Sequence, residues 1–327
     1  MKEMLAVQGA RTIVENCASI KKGEKVFIVT DYETFSSALL IAKAAYSIGA
    51  DVDMGIMKSR KLDGEEPTEC IAVAMKKADV VLTPVSKSLA HTRATDEALE
   101  EGARVLSLTA ISEELIASPA FKANFKKQSP VVEKIAQLFT EADELTVTTP
   151  AGTDLKVGLK GRKGNAHKCL VSSPGQFSAA PNIEANFSPV EGTAEGIFVS
   201  DASIPYLGIG KLSSPVIFTV EKGKIIKTEG GVEAEKIKRI WAEQNDPNVY
   251  NIAQFSIGLN PKVREAIGVL GCNYDEGAFG TVHIGIGTSQ GLGGNVRATT
   301  HFDALMNKPT VILDGEKKIL KDGNLLI

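Results

Sequence analysis

The chain has 327 residues, 43% of them hydrophobic and 24% charged, with a mean hydropathy of +0.00. This composition excludes a disordered or fibrous chain, and at about 150 residues per domain the length predicts two domains. A net charge of −3 excludes a protein that tracks nucleic-acid phosphates, which needs a basic surface. The four cysteines, Cys17, Cys70, Cys169 and Cys272, form no C-x-x-C pair, so they read as reduced and mostly buried thiols. No signal-peptide core and no apolar run of about 18 residues is present, which predicts no membrane span and a cytoplasmic protein.

In chain order, KVFIVTD (25–31) reads as a buried strand, and ETFSSALLIAKAAYSIGA (33–50) as a helix ending near Gly49. The cycle repeats with DVDMGIM (51–57), a helix over 67–77, DVVLTPV (79–85), a helix over 94–101, RVLSLT (104–109) and a short helix from Ser112. Such a βαβ series predicts a parallel sheet covered by helices. Its ligands belong beyond the carboxyl ends of the strands, at Asp31, Lys58 to Arg60, Ser86 to Arg93 and Thr109. After a connector helix over 129–142 the texture changes to short β runs between Gly, Pro and Asn turns. Hairpins are predicted to close at Pro150–Gly152 and Lys222–Gly223, with one helix over 233–245. The expected fold class is therefore an α/β N-terminal domain with a parallel sheet, 1–143, forming a substrate cleft. It is followed by an α+β C-terminal domain with a mainly antiparallel sheet, 144–327, carrying the metal.

HIGIGTSQGLGGN (283–295) is rich in glycine but has neither G-x-G-x-x-G spacing nor a following amphipathic helix, so it is not a dinucleotide loop. The basic run Lys156, Lys160, Arg162, Lys163 and Lys168 reads as a solvated hairpin, with His167 on the surface beside it. His301-Phe302-Asp303 is more informative. On a strand, residues i and i+2 share a face with Cα atoms about 7 Å apart, so one strand offers an imidazole and a carboxylate to one cation. His283, embedded in GTVHIGIG (280–287), needs a partner to be buried among Val282, Ile284 and Ile286. Glu184, Glu191 and Glu195 lie in PNIEANFSPVEGTAEG (181–196). Two histidines with one or two carboxylates suit Zn²⁺, Mn²⁺ or Fe²⁺.

Over about 181–305 these motifs, in this order, resemble the aminopeptidase T family of metallopeptidases. Glu184 before PVEGTAEG matches its first metal-binding glutamate, His283 its G-T-x-H-I-x-x-G histidine, and His301 and Asp303 its closing H-x-D. Two positions depart from the family pattern: Gln254 in IAQFSIGLNP stands where it has a glutamate, and Gln290 where it has a tyrosine. A neutral amide bridges two cations poorly, so one metal ion is expected rather than two. The chain is similar in length and N-domain layout to a relative of this fold, the 2,5-dihydroxypyridine 5,6-dioxygenases. These share the H-x-D, have a histidine at the position of Gln254, and carry a first-domain histidine that His91 resembles.

The resemblance implies a metal-dependent hydrolase of aminopeptidase T type, acting on a small peptide, amide or ring-amide through a metal-activated water. Glu184, His283, His301 and Asp303 would hold one divalent metal, with Glu184 also catalytic. His91 is the expected acid or base, Arg93 a carboxylate clamp, and Gln254 and Gln290 substrate contacts. Glu191 and Glu195 would support the ligands, and a homodimer is expected. Two other readings remain: a non-haem Fe(II) ring-cleaving dioxygenase on the same residues, and a metal-free binding or scaffold protein.

Overall fold

A computed structural model describes every residue except Met1, Leu62, His91, 267–270 and Cys272. Up to residue 181 the elements are α1 (Lys2–Arg11), β1 (Lys25–Asp31), α2 (Phe35–Ser47), β2 (Asp51–Met57), α3 (Glu69–Met75), β3 (Val80–Thr83), α4 (Arg93–Glu100), β4 (Arg104–Ser107), α5 (Glu113–Ile116), α6 (Phe125–Glu141), β5 (Glu144–Thr148), β6 (Asp154–Gly158), β7 (Asn165–His167) and β8 (Phe177–Ala179). There follow β9 (Glu184–Phe187), β10 (Glu195–Ser200), β11 (Ser203–Ile204), β12 (Gly210–Lys211), β13 (Val216–Glu221), β14 (Lys224–Glu229), α7 (Val232–Gln244), β15 (Ile252–Gly258), α8 (Pro261–Ala266), β16 (Val282–Gly287), β17 (His301–Met306), β18 (Thr310–Leu313), β19 (Lys317–Lys321) and β20 (Asn324–Leu325).

These elements form two compact units, Met1–Lys127 with His167–Pro181, and Gln128–Ala166 with Asn182–Ile327. The first is α/β. Its sheet has the order β2-β1-β3-β4-β8, and every pairing is parallel. Val29, Val81 and Val105 join Ile71 and Met75 of α3 and Ala94 and Ala98 of α4 in one apolar cluster. The order reverses between β1 and β3, and the loops after these strands flank that switch point. Asp31 ties the two loops together: its carboxylate accepts from Ser86 N (2.8 Å) and Oγ (2.6 Å) and from Thr34 N (3.2 Å) and Oγ1 (3.1 Å).

The second unit is α+β with antiparallel sheets. Eight strands run in the order β14-β13-β10-β6-β5-β18-β19-β20, and five in the order β17-β16-β15-β9-β7. The β13–β14 hairpin closes on two residues, Lys222 (φ 48°) and Gly223 (φ 75°), the left-handed pair that matches strand twist.

The domain boundary changes. The division falls at 127/128, and residues 167–181 return to the first unit, so no single boundary at 143 describes the chain. The returning segment adds β8 to the parallel sheet beside β4, a pairing no local pattern could announce. Among the described cysteines Cys17 and Cys169 are buried free thiols and Cys70 an exposed one, in keeping with reduced and mostly buried thiols.

Candidate metal centre

The five-stranded sheet separates polar from apolar side chains by period-2 alternation. Residues opposite one another in register share a face. Asp303 pairs with Gly285, which pairs with Gln254; Leu305 pairs with His283, His283 with Ser256, Ser256 with Asn186; and Gly258 pairs with Glu184. One face therefore carries Glu184, Asn186, Gln254, Ser256, His283, His301 and Asp303. The other carries Phe187, Phe255, Ile284, Phe302 and Ala304. That apolar face is closed by Phe139 of α6, 5.0 Å from Phe187 between ring centroids, and by Trp241 of α7, 5.9 Å from Phe302. His283 is thus buried in an apolar run because only its alternate neighbours are apolar.

On the polar face, donor atoms converge from β9, β16 and β17. His283 Nε2 lies 3.7 Å from Glu184 Oε2 and 3.8 Å from Asp303 Oδ1, and His301 Nε2 lies 3.5 Å from Asp303 Oδ1. Gln254 Nε2 is 3.2 Å from His283 Nε2. Gly285 makes room for this. A β-carbon there would sit 2.7 Å from Gln254 Cβ and 2.8 Å from His301 Cε1, so the His301 ring rests where any other residue would place its side chain.

The residues around the donors orient them. His301 Nδ1–H donates to the Thr288 carbonyl (2.7 Å), which in a neutral ring leaves the Nε2 lone pair pointing at Asp303. A lone pair against a carboxylate needs a cation between them, either a proton or a metal ion. Glu184 Oε1 accepts from Asn186 Nδ2 (2.8 Å), and Asn186 Oδ1 accepts from Asn165 Nδ2 (3.0 Å). Glu184 Oε2, Asp303 Oδ1 and His283 Nδ1 are buried without a hydrogen-bond partner.

The electrostatics agree. Burial alone would raise Asp303, but positive charge on the neighbouring His283 and His301 imidazoles outweighs it and holds it low. Burial likewise pushes the His301 imidazolium down, and the Asp303 carboxylate and the Thr288 carbonyl bring it above its ordinary value. Among the described residues no group of three or more His, Cys, Asp or Glu is spaced, as the side chains stand, to hold a metal ion. Two ligands on bonds of about 2.1 Å at a tetrahedral angle lie about 3.4 Å apart. The observed links of 3.5–3.8 Å are within a few tenths of that, and with the bare buried oxygens they fit a divalent cation.

Glu184, Gln254, His283, His301 and Asp303 are therefore brought together. His91 lies outside the described residues. The Arg93 side chain is 82% exposed and faces Glu97 on its own helix at 3.6 Å. Gln290 is exposed. Glu195 accepts from Lys222 N (2.8 Å). Glu191 accepts from Arg162 and from Asn295 N, and Arg162 also donates to the Gly293 carbonyl (2.5 Å). At 13% exposure Arg162 is not part of a solvated run; it fastens the glycine-rich loop whose Thr288 orients His301. Sequence reasoning missed Asn186, Asn165 and Gly285, which act through nonlocal contacts.

A family model for 2,5-dihydroxypyridine 5,6-dioxygenase matches residues 7–327. The 2,5-dihydroxypyridine 5,6-dioxygenase of Pseudomonas putida strain KT2440 is 26% identical over 256 residues, 76% of this chain and 71% of that protein. The solved structure of 2,5-dihydroxypyridine dioxygenase from Pseudomonas putida KT2440 shares the fold with a TM-score of 0.83 at 20% identity, over 99% of this chain and 97% of that one. AmpT from Thermus thermophilus does so with a TM-score of 0.74 at 17% identity, over 100% of both chains. The likeness to the aminopeptidase is thus one of fold, while the family match spans nearly the whole chain. This overturns the expected metal-dependent hydrolase, and with it the aminopeptidase and metalloprotease assignments. Spanning all but the first six residues, the match places the chain in the 2,5-dihydroxypyridine 5,6-dioxygenase family.

Proposed function

We propose that this chain is a non-haem Fe(II) dioxygenase that opens a dihydroxylated heteroaromatic ring, with His283, His301 and Asp303 as metal ligands and Glu184 beside them. The observation that carries the reading is the pairing of two imidazoles with one buried carboxylate on a single sheet face, with the His301 Nε2 lone pair turned inward by the bond from Nδ1–H to Thr288. Two histidines and one carboxylate leave coordination positions open, which is the donor set of Fe(II) oxygenases. A ferrous ion held there supplies the redox chemistry that ring oxygenation by dioxygen requires.

The protein's own contribution is positioning. Asn186 holds one Glu184 oxygen and leaves the other toward His283. The Gln254 amide, against His283 Nε2, is at hand to orient a substrate hydroxyl. The apolar face behind the sheet keeps the ligand strands rigid.

The test is oxygen uptake by anaerobically purified protein loaded with Fe²⁺ and given 2,5-dihydroxypyridine, the compound after which the family is named. One dioxygen consumed per ring opened is expected, with a loss of at least about 100-fold in His301→Ala and Asp303→Ala. Ring opening without oxygen uptake, or protein that takes up no metal, would sink the proposal.

A further inference from the structure

The loop between β16 and β17 has glycine at 291, 293 and 294, so its tip has few side chains to pack and takes its place from the groups that bond its backbone. Three such groups come from outside the loop. The Arg162 guanidinium donates through Nη1 to the Gly293 carbonyl (2.5 Å) and through Nη2 to Glu191. The other Glu191 oxygen accepts from Asn295 N (2.8 Å). Asn165 Nδ2 donates to the Leu292 carbonyl (3.3 Å) and to Asn186 Oδ1 (3.0 Å), and Asn186 in turn holds Glu184. Arg162 is 13% exposed, so its charge is set against these two partners rather than against solvent.

What is fixed at the tip reaches His301 in short steps. Val296 follows Asn295; its carbonyl accepts from Ser289 N (2.9 Å), and its own N–H donates to Ser289 Oγ (3.1 Å). Ser289 N belongs to the same planar peptide unit as the Thr288 carbonyl. That carbonyl accepts from His301 Nδ1–H (2.7 Å). A tip released from Arg162 frees this peptide to turn. A turned carbonyl no longer selects the tautomer that leaves Nε2 bare toward Asp303.

We infer that Arg162 is a positioning residue of the metal centre: through Glu191 and the loop backbone it fixes the Thr288 carbonyl and thereby the His301 tautomer. The inference rests on the metal centre proposed above, and two measurements on metal-depleted full-length protein test it without turnover. The first is the imidazole nitrogen-15 spectrum of histidine-labelled protein at a pH where the ring is neutral. With four histidines in the chain, His301 is assigned by the signal lost in His301→Ala. The second is the affinity for Fe²⁺ by anaerobic equilibrium dialysis. Arg162→Leu is expected to bring in the Nε2–H tautomer of His301 and to weaken Fe²⁺ binding at least threefold. Arg162→Lys, able to make one of the two bonds, is expected to fall between that variant and the unsubstituted protein. An unchanged His301 spectrum in Arg162→Leu overturns the inference whatever the affinity does, because general loosening weakens binding without choosing a tautomer; a smaller loss of affinity overturns it as well. Either result leaves the metal ligands standing, whereas failure of the unsubstituted protein to take up Fe²⁺ overturns the centre itself. Should Arg162→Leu not fold, Arg162→Lys is read instead: part of the second tautomer and a measurably weaker Fe²⁺ affinity are expected, and no change in either overturns the inference.

Discussion

Gly285 decides where His301 can lie. It faces Gln254 on one side and Asp303 on the other, and an added methyl would meet His301 Nε2 at 2.9 Å. Gly285→Ala should therefore push the imidazole off the floor of the site and strain its bond to Thr288. The expected result is at least a tenfold fall in bound metal after dialysis, measured by elemental analysis. The global stability cost should be about 1–3 kcal/mol, the range of core overpacking. Full metal occupancy in this variant would mean that the ring position does not matter for binding. Nothing in the sequence distinguishes Gly285 from Gly287, although both were visible in the run. The difference lies in what approaches each, the His301 ring at Gly285 and the Thr300 backbone at Gly287.

At the scale of an element, the carboxyl end of β1 depends on Asp31. Its burial would raise the pKa, but the hydrogen bonds from Ser86 and Thr34 outweigh it and hold the group below the ordinary carboxylate value. A lowered folded-state pKa stabilises the protein fully above the unfolded value of about 3.9, and that contribution is lost as pH falls through the folded pKa. Asp31→Asn should cost about 2–3 kcal/mol near pH 7. In urea titrations the gap from the unsubstituted protein should narrow as pH is lowered from 6 towards 3. A gap independent of pH would show that the bonds matter but the charge does not. Asp31 was expected among the ligand positions beyond the strand ends, and the structure gives it the role of fastening the β1 and β3 loops.

For the whole molecule, the path of the chain has a consequence for its folding. Cutting after residue 143 removes β8, which pairs with β4, and removes Cys169 and Val171. The Cys169 thiol lies 3.5 Å from that of Cys17, and Val171 N donates to the Cys17 carbonyl at 2.7 Å. An opened strand edge and uncovered apolar surface follow. Fragment 1–143 is expected to aggregate or melt without a cooperative transition by circular dichroism, and joining 167–181 to it should restore cooperativity. A sharp transition in the short fragment would show that β8 is dispensable. The tract SSPGQFSAAP (172–181) reads as a loop because Pro, Gly and Ser dominate it; only pairing with β4 makes three of its residues a strand.

By itself the sequence determined the α/β and α+β texture, the strand that carries His301 and Asp303, and the pairing of His283 with a polar need, because periodicity and turn chemistry are local. It also narrowed the candidate metal ligands to a few residues. Tertiary structure decided which of these meet. Glu184, Gln254, His283 and Asp303 share one face only through the registers of four strands, and the His301 ring lies over them only because Gly285 has no side chain. Periodicity assigns a side chain to a face, whereas the neighbour it finds there depends on register and close approach, which are set between segments far apart in the chain.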